Sequence, residues 1–207
     1  KNQPWVVIGA HFDSRLHANE DPDEENRTSP VPGGNDGASG VAVLYGLAVS
    51  LEKDLPVRVT LALFDLEDQG SIEPYHDWCL GSKMVAKYYA SLPTQPDAVV
   101  LLDMIGDPDL NVYRERNSDP ALGDEIWGAA AELGYGDKLV NLEKFTIYDD
   151  HIPFIQNGMR AVDLIDFDDP EWHTLKDDIG NVSQESLQVI GEVMMAWLDR
   201  VVEKGIR

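Results

Sequence analysis

The stretch LALFDLEDQG, residues 61–70, passes from an apolar run into a cluster of acidic side chains. The run at 61–64 is apolar without alternation, which is typical of a central strand that is covered on both faces. Asp65, Glu67 and Asp68 follow it directly. Ligands of open α/β sheets bind beyond the carboxyl ends of parallel strands. The stretch therefore predicts a buried strand that carries part of a site at its end, whereas the simpler interpretation is a solvated turn.

Strand-like and helical segments alternate along the rest of the chain. Apolar runs predict strands at residues 4–12, 56–66, 98–106 and 160–167, with a short edge strand at 111–116. Helical spacing predicts helices at 41–51, 81–92, 121–133 and from 183 to the end of the chain, with a short helix from 149 to 158. This alternation predicts a single α/β domain over residues 1–207, with a doubly wound, mixed but mostly parallel sheet flanked by helices.

The composition limits the class of protein and its partners. The chain has 207 residues, of which 43% are hydrophobic and 26% charged, as expected for a globular domain and not for a disordered one. The net charge of −22 argues against nucleic acid and anionic membranes as partners. No apolar run is long enough to span a bilayer. We also expect the protein to be a monomer. The single cysteine, Cys79, excludes an internal disulfide and is expected to be structural or incidental.

Potential metal ligands recur where strand-like runs end or where the adjoining loops begin. These candidates are His11, Asp36, Asp68, Asp103 and His173. Each has a simpler interpretation, such as a turn aspartate before glycine or a surface histidine. All five are nevertheless expected at one edge of one sheet, where clustered carboxylates repel each other unless a cation is present. Mixed histidine and carboxylate ligands favour zinc over calcium or magnesium.

Glu67 and Asp68 are expected to have different roles, because neighbouring side chains of an extended segment point to different sides. One carboxylate can bind the metal while the other stays free as a general base and acid. We predict Asp68 as the ligand and Glu67 as the base. Asp13 could hydrogen-bond the second ring nitrogen of His11. His151 is expected to support packing or hydrogen bonding instead of binding metal.

Several motifs resemble the zinc aminopeptidase family called M28, and they come in the order of that family. The motifs are AHFDS at 10–14, GGNDGASG at 33–40, LED at 66–68, LDMIG at 102–106 and WHT at 172–174. The resemblance covers nearly the whole chain and implies the doubly wound fold of zinc aminopeptidases, with zinc as the cofactor. It places the ligands on the five candidates above and the acid/base role on Glu67.

Within that family the chain is most similar to animal-type glutaminyl cyclases and their bacterial relatives. The residues that carry this similarity are DDHIPF at 149–154, EWHT at 171–174 and the loop at 70–78 followed by Gly81 and Ser82. The resemblance implies one zinc ion, held by Asp36, Asp68 and His173. It also implies that Asp103 and Asp149 form a hydrogen-bond network with Glu67. The predicted substrate pocket consists of Trp78, Trp172, Phe167 and Ile152.

The predicted activity is that of a glutaminyl-peptide cyclotransferase, which converts the N-terminal glutamine of peptides or proteins to pyroglutamate and releases ammonia. One departure concerns Asp68, because the cyclases usually have glutamate at this position. The resemblance suggests secretion or a location in the cell envelope.

Two alternatives remain open. The first is an aminopeptidase with two zinc ions, in which His11 and Asp103 hold the second ion, Asp36 bridges, and Glu67 activates a water. The sequence keeps every ligand that this reaction needs. The second is a peptidase-like domain that only binds peptides, although such domains lose ligands or the base and this chain lacks neither.

Overall fold

Strands and helices alternate through residues 3–206, which are the residues described by this computed structural model. The strands are β1 (Trp5–His11), β2 (Arg58–Phe64), β3 (Ala98–Asp103), β4 (Val112–Glu115), β5 (Leu139–Phe145) and β6 (Ala161–Ile165). The helices are α1 (Ala38–Ser50), α2 (Leu80–Ala90), α3 (Pro120–Leu133), α4 (His151–Gln156) and α5 (Gln184–Lys204). Residues 1, 2 and 207, which belong to the predicted domain and in part to its last helix, lie outside the described residues.

The central sheet has the strand order β2-β1-β3-β6, and its strands are parallel. The chain passes from β1 to β2 on one side and then returns to β3 on the other side of β1. This reversal creates a crevice beyond the carboxyl ends of β1 and β3, which is where open α/β sheets bind ligands. The predicted α/β class with a parallel sheet is confirmed. The prediction of a mixed sheet, with some antiparallel pairing, was wrong for the described residues, because all their strand pairings are parallel.

Helices cover both faces of this sheet, as a doubly wound fold requires. Alternate residues of β1 point to opposite faces, so that Val6 and Ile8 join one apolar cluster while Trp5 and Val7 join the other. The first cluster packs against α1, α3 and α5, and the second packs against α2 and α4. Among the described residues, no helix is long and apolar enough to cross a bilayer.

The structure corrects one sequence prediction about strands and adds a strand that was not predicted. Within the described residues β2 pairs only with β1, so it forms an edge of the sheet and is not a central strand. Leu63 is 56% exposed there, because an apolar run without alternation does not show which strand lies at the edge. Strand β5 was not predicted, since its sequence LVNLEKF is mostly exposed and rich in polar residues. It pairs in parallel with β4 in a separate small sheet.

Candidate active site

The structure brings the five predicted ligands together at the carboxyl edge of the sheet. His11 and Asp103 end β1 and β3, Asp36 lies just before α1, Asp68 follows β2, and His173 lies in the loop after β6. All five side chains are buried. They form two groups of three, each with ligand atoms within 4.8 Å of one another.

Asp36, Asp68 and His173 form the first group. Nε2 of His173 lies 2.9 Å from Oδ1 of Asp68 and 3.5 Å from Oδ2 of Asp36. Oδ2 of Asp68 is buried and has no hydrogen-bond partner among the described residues. These are the three residues predicted to hold a single ion.

His11, Asp36 and Asp103 form the second group. Nε2 of His11 lies 2.9 Å from Oδ1 of Asp36 and 3.0 Å from Oδ1 of Asp103. Asp36 therefore belongs to both groups, with a different oxygen facing each histidine. Burial alone would lower the pKa of His11, but the charge of Asp103 and hydrogen bonds with Asp103, Asp13 and Asp36 raise it well above its usual value.

The loop that carries Asp36 packs closely against β1. A side chain at Gly37 would place its Cβ 2.5 Å from Cε1 of His11, so only glycine fits beside this ring. The carboxylate of Asp177 accepts hydrogen bonds from the backbone N–H groups of Asn35 and Asp36, at 2.6 and 3.2 Å. These contacts fix the position of the Asp36 carboxylate between the two histidines.

Asp13 shapes the turn that carries Glu67 and Asp68. Its carboxylate accepts hydrogen bonds from the backbone N–H groups of Glu67 and Asp68 at 3.0 and 3.2 Å, and from Nε2 of Gln69 at 3.0 Å. The ring of His11 does bond to Asp13, but through the backbone oxygen, which lies 3.0 Å from Nδ1, while the carboxylate lies at 3.6 Å. The predicted contact thus involves the expected residue and a different atom.

Four residues with left-handed backbone conformations surround these groups. They are Leu66, Cys79, Met104 and His173, with φ angles of 58°, 56°, 48° and 56°. Bulky residues rarely adopt this conformation, and such strain concentrates at functional sites. Leu66 directly precedes Glu67 and Met104 directly follows Asp103, so the backbone turns sharply at both acidic strand ends.

Glu67 lies beside the first group and is 7% exposed. Its Oε1 accepts a hydrogen bond from Sγ of Cys79 at 3.3 Å. Oxygens of Glu67 and Asp149 lie within 4.8 Å of each other. Burial, and then the negative charge of Asp149, raises the pKa of Glu67 well above its usual value. A carboxylate with a raised pKa suits a group that takes and returns a proton near neutral pH.

A cleft of about 340 Å³ opens above these carboxylates. Trp78, Trp172 and Phe167 line it, as predicted, together with Thr146, Ile147 and Tyr148, which the sequence did not indicate. Trp172 stacks on the ring of His173 with 3.9 Å between the ring centroids. Ile152 does not line the cleft, so this prediction was wrong. The backbone N–H of Ile152 donates a hydrogen bond to the carbonyl oxygen of Asp149, which forms the first turn of α4. The Ile152 side chain is buried in that turn.

The first group has the chemistry of a divalent-cation site. Burial lowers the pKa of His173 to about 4, which leaves a neutral imidazole that can bind a metal. Burial, and then the charge of Asp36, raises the pKa of Asp68 well above its usual value. A bound cation would remove this electrostatic cost and would give the unpartnered oxygen of Asp68 a partner. Two carboxylates and one imidazole match the three protein ligands of a catalytic zinc site.

A second buried acidic cluster lies behind Glu67. Sequence reasoning predicted Asp149 beside Glu67 and a packing or hydrogen-bonding role for His151, which is buried with its Nε2 3.0 Å from Glu115. It missed the other members, Asp150, Asp163 and Glu115. One signal was visible, because Asp163 interrupts the otherwise apolar strand AVDLI of β6. Cys79 was expected to be structural or incidental; it is fully buried, and its thiol contacts Glu67. The sequence carries no signal for that contact, since the two residues meet only after the loop at 68–78 has folded.

The chain belongs to peptidase family M28, whose family description matches residues 1–198. A glutaminyl-peptide cyclotransferase of Boiga irregularis is 25% identical over 235 residues, which cover 97% of this chain and 62% of that protein. The chain thus spans about three fifths of the length of this curated relative.

Solved structures show the same similarity. A glutaminyl cyclase of Tannerella forsythia is 32% identical with a TM-score of 0.84, over 95% of this chain and 74% of that one. A Zn-dependent exopeptidase of Parabacteroides distasonis is 30% identical with a TM-score of 0.87, over 99% of this chain and 75% of that one. The predicted resemblance to the family and, within it, to glutaminyl cyclases is confirmed.

Proposed function

We propose that the chain is a zinc-dependent glutaminyl-peptide cyclotransferase, which converts an N-terminal glutamine to pyroglutamate and releases ammonia. The observation that carries the proposal is the buried pair of Glu67 and Asp149 beside the group of Asp36, Asp68 and His173. The names of the cyclase relatives support the same activity. Peptide or protein N-termini are the proposed substrates.

Asp36, Asp68 and His173 would hold the zinc ion. When bound, zinc supplies a positive charge that polarises a carbonyl oxygen. One ion is the proposed number, because among the described residues the side chains of His11, Asp36 and Asp103 have no buried atom without a hydrogen-bond partner. Oδ2 of Asp68, in contrast, has no partner among the described residues.

Glu67 is the proposed proton carrier of the reaction. Its carboxylate takes a proton from the α-amine of the substrate while the amine nitrogen attacks the γ-amide carbon. The bond between that carbon and the amide nitrogen then breaks, and Glu67 returns the proton to the leaving ammonia. Asp149, whose carboxylate lies within 4.8 Å of that of Glu67, keeps Glu67 oriented, whereas Asp103 bonds to His11 at 3.0 Å. No covalent intermediate with the enzyme is needed. Positioning of the amine and the amide carbon, which belong to one molecule, supplies much of the rate.

The cleft has the size and lining for a short side chain that ends in an amide. Trp78, Trp172 and Phe167 supply apolar walls, while the carboxylates lie at the floor. Apolar walls of this kind would limit the access of water to the reacting carbonyl.

A specific observation favours a second candidate, an aminopeptidase with two zinc ions. Asp36 turns one oxygen toward His11 and the other toward His173, which is the arrangement of a bridging ligand. The resemblance to a Zn-dependent exopeptidase supports this alternative. In this reaction Glu67 would activate a water, and the products would be a free amino acid and a shortened peptide.

Mass spectrometry of two peptides tests the proposal, one with N-terminal glutamine and one with N-terminal leucine. We expect the zinc-loaded protein to remove one ammonia from the first peptide and to leave the second unchanged. Loss of a whole residue from either peptide would overturn the cyclase proposal in favour of the aminopeptidase. Neither product from either peptide would favour a domain that only binds.

Metal analysis provides an independent test. We expect about one zinc per chain after dialysis against a weak chelator, whereas about two per chain would support the aminopeptidase. His11→Gln is the matched variant: it should leave the zinc content of a one-ion site unchanged and should halve that of a two-ion site.

A further inference from the structure

The buried acidic cluster behind Glu67 contains groups that the proposed reaction does not use. Asp149, His151 and Asp163 have ligand atoms within 4.8 Å of one another, and all three are at least nine-tenths buried. Among the described residues, four atoms of this group lack a hydrogen-bond partner: Oδ2 of Asp149, both carboxylate oxygens of Asp163 and Nδ1 of His151. Buried polar atoms without partners are rare and call for an explanation.

Glu115 anchors the far end of this group. Its carboxylate accepts hydrogen bonds from the backbone N–H groups of Asn117, Ser118 and Ile147, at 2.8, 2.9 and 3.0 Å. Nε2 of His151 lies 3.0 Å from Oε2 of Glu115. The anchored carboxylate accepts a hydrogen bond from the N–H at Nε2 and thereby fixes the orientation of the imidazole ring.

His151 in turn faces Asp163. Its Nδ1 lies 3.5 Å from Oδ2 of Asp163, and both side chains are 0% exposed. Asp163 belongs to β6, where it pairs with Leu101 of β3, and its backbone N–H bonds to Oγ of Ser118. The backbone of Asp163 is therefore held by the sheet and by Ser118, and its carboxyl group faces the His151 ring.

Asp163 and Asp149 lie too close together in a dry environment for both to be charged. Burial, and then the charge of Asp149, raises the pKa of Asp163 well above its usual value. A protonated Asp163 has one O–H to donate, and Oδ2 of Asp149 is an acceptor without a partner. Such a bond would satisfy both groups and would restrain Asp149 beside Glu67.

We infer that Asp163, held by His151 and Glu115, is a positioning residue that donates a hydrogen bond to Asp149 and so keeps Glu67 in its reactive orientation. This inference rests on the proposed function. Asp163 does not line the cleft, whereas Asp149 does, so its effect on the reaction passes through Asp149. The chain Glu115–His151–Asp163–Asp149 thus supports the base from the side opposite to the substrate.

Two substitutions of Asp163 separate a hydrogen-bond donor from a negative charge. Asp163→Asn keeps a neutral donor of the same shape, and we expect kcat to stay within about threefold of the wild type. Asp163→Leu fills the same space without a donor, and we expect kcat to fall roughly ten- to a hundredfold, the scale for a misplaced catalytic group. The KM for the N-terminal glutamine peptide and the zinc content should not change in either variant.

Val162→Ala is the matched control for a destabilised strand. Val162 is adjacent to Asp163 on β6 but points into the opposite apolar cluster, where it is 1% exposed. This variant should lower the Tm and leave kcat unchanged. If Val162→Ala lowers kcat as much as Asp163→Leu does, the role of Asp163 is structural and the inference is wrong.

A double-mutant cycle tests whether Asp163 acts through Asp149. In the Asp149→Asn background, Asp163→Leu should cause little further loss of kcat, because residues that act in series are not additive. Full additivity would overturn the inference. So would a folded Asp163→Asn variant whose kcat falls more than about tenfold, and this outcome decides the question even if Asp163→Leu does not fold.

The wild-type protein distinguishes failure of this inference from failure of the proposed function. The assay follows whichever product the wild type forms, a pyroglutamyl peptide or a shortened one. Wild-type hydrolysis without cyclisation overturns the proposed function, and the Asp163 variants then report on the same base in the hydrolytic reaction. A wild type that forms neither product overturns both.

Discussion

Glu67 and Asp68 are neighbours in sequence, yet their carboxylates lie in different surroundings. Glu67 faces the thiol of Cys79 and the carboxylate of Asp149. Asp68 faces His173, at 2.9 Å, and more distantly Arg15, at 3.8 Å. The backbone of Leu66 is left-handed, so the chain turns sharply just before both residues. One becomes the proposed base and the other the proposed ligand.

We expect Glu67→Gln to fold, to keep its zinc and to lose activity. The amide has nearly the shape of the carboxylate but cannot take up the proton, so kcat should fall by about 10²- to 10⁴-fold. Steady-state kinetics with an N-terminal glutamine peptide and metal analysis measure the two effects. Glu73→Gln, an exposed glutamate in the following loop, is the control and should leave kcat unchanged. Turnover by Glu67→Gln at the wild-type rate would contradict the assignment.

Glu115 provides a prediction about stability and pH. Burial opposes its charge, but hydrogen bonds from His151, Asn117 and Ile147 outweigh this and lower its pKa from 4.5 to about 2. A carboxylate with a lower pKa in the folded state stabilises the fold above its unfolded pKa and loses this contribution as the pH falls. The shift corresponds to roughly 3 kcal/mol.

We expect Glu115→Gln to lower the free energy of unfolding at pH 7 by up to about 3 kcal/mol. The difference from the wild type should narrow as the pH falls below 4.5 toward 2. Urea unfolding over a pH series measures it. The exposed Glu203→Gln is the control, with a difference near zero at every pH. A gap for Glu115→Gln that does not change with pH would show that packing, and not charge, stabilises this site.

At the scale of elements, helix α1 determines where Asp36 lies. The helix packs directly on the sheet at Gly40, where an added Cβ would lie 2.2 Å from the carbonyl oxygen of Leu102 and 2.7 Å from Cβ of Ala10. Asp36 is one turn away, so the spacing between this helix and the sheet also sets the spacing of the proposed ligands. Gly46 lies on the same helix with no atom within 4 Å of an added Cβ.

Two glycine substitutions on α1 should therefore act in opposite directions. We expect Gly40→Ala to lower the free energy of unfolding by about 1–3 kcal/mol, because the helix must move away from the sheet. Gly46→Ala should raise it by up to about 1 kcal/mol, because alanine is the better helix former and nothing opposes it. Urea midpoints measure both changes. Equal stabilisation by both substitutions would show that α1 does not pack as closely as the structure indicates.

At the scale of the whole molecule, charge is the dominant feature. The net charge of −22 means that the acidic side chains repel one another in the folded state, and salt screens this repulsion. The buried carboxylates add to the cost, since burial raises the pKa of Asp103 and Asp177 to about 7.

We expect the Tm to rise as NaCl increases from about 0.01 M to 1 M, over which the Debye length falls from about 30 Å to 3 Å. Glu52→Gln and Lys53→Gln form a matched pair of exposed neighbours. The first should raise the Tm at low salt and the second should lower it, with both differences vanishing at high salt. A Tm that does not depend on salt, or differences that persist at high salt, would contradict this account. Scanning calorimetry makes the measurement.

The sequence by itself determined the class of fold, the family and the five candidate ligands. These features have local signals: apolar runs that predict strands, helical spacing, and acidic or histidine residues at strand ends. Asp103, for example, directly follows the apolar run of β3, so topology alone places it at the carboxyl edge. Helix α5 was predicted to begin at Ser183, which is the residue that caps it.

Only the tertiary structure decided which residues are neighbours across the sheet. Nothing local distinguishes the edge position of β2, the burial of Ile152, or the contact between Cys79 and Glu67. The cluster of Asp149, Asp163, His151 and Glu115 draws on three separate segments, which parallel pairing and the packing of α4 bring together. Its members depend on each other because a buried charge is costly unless a hydrogen-bonding or oppositely charged group lies beside it. Packing, and not position in the sequence, decides which group that is.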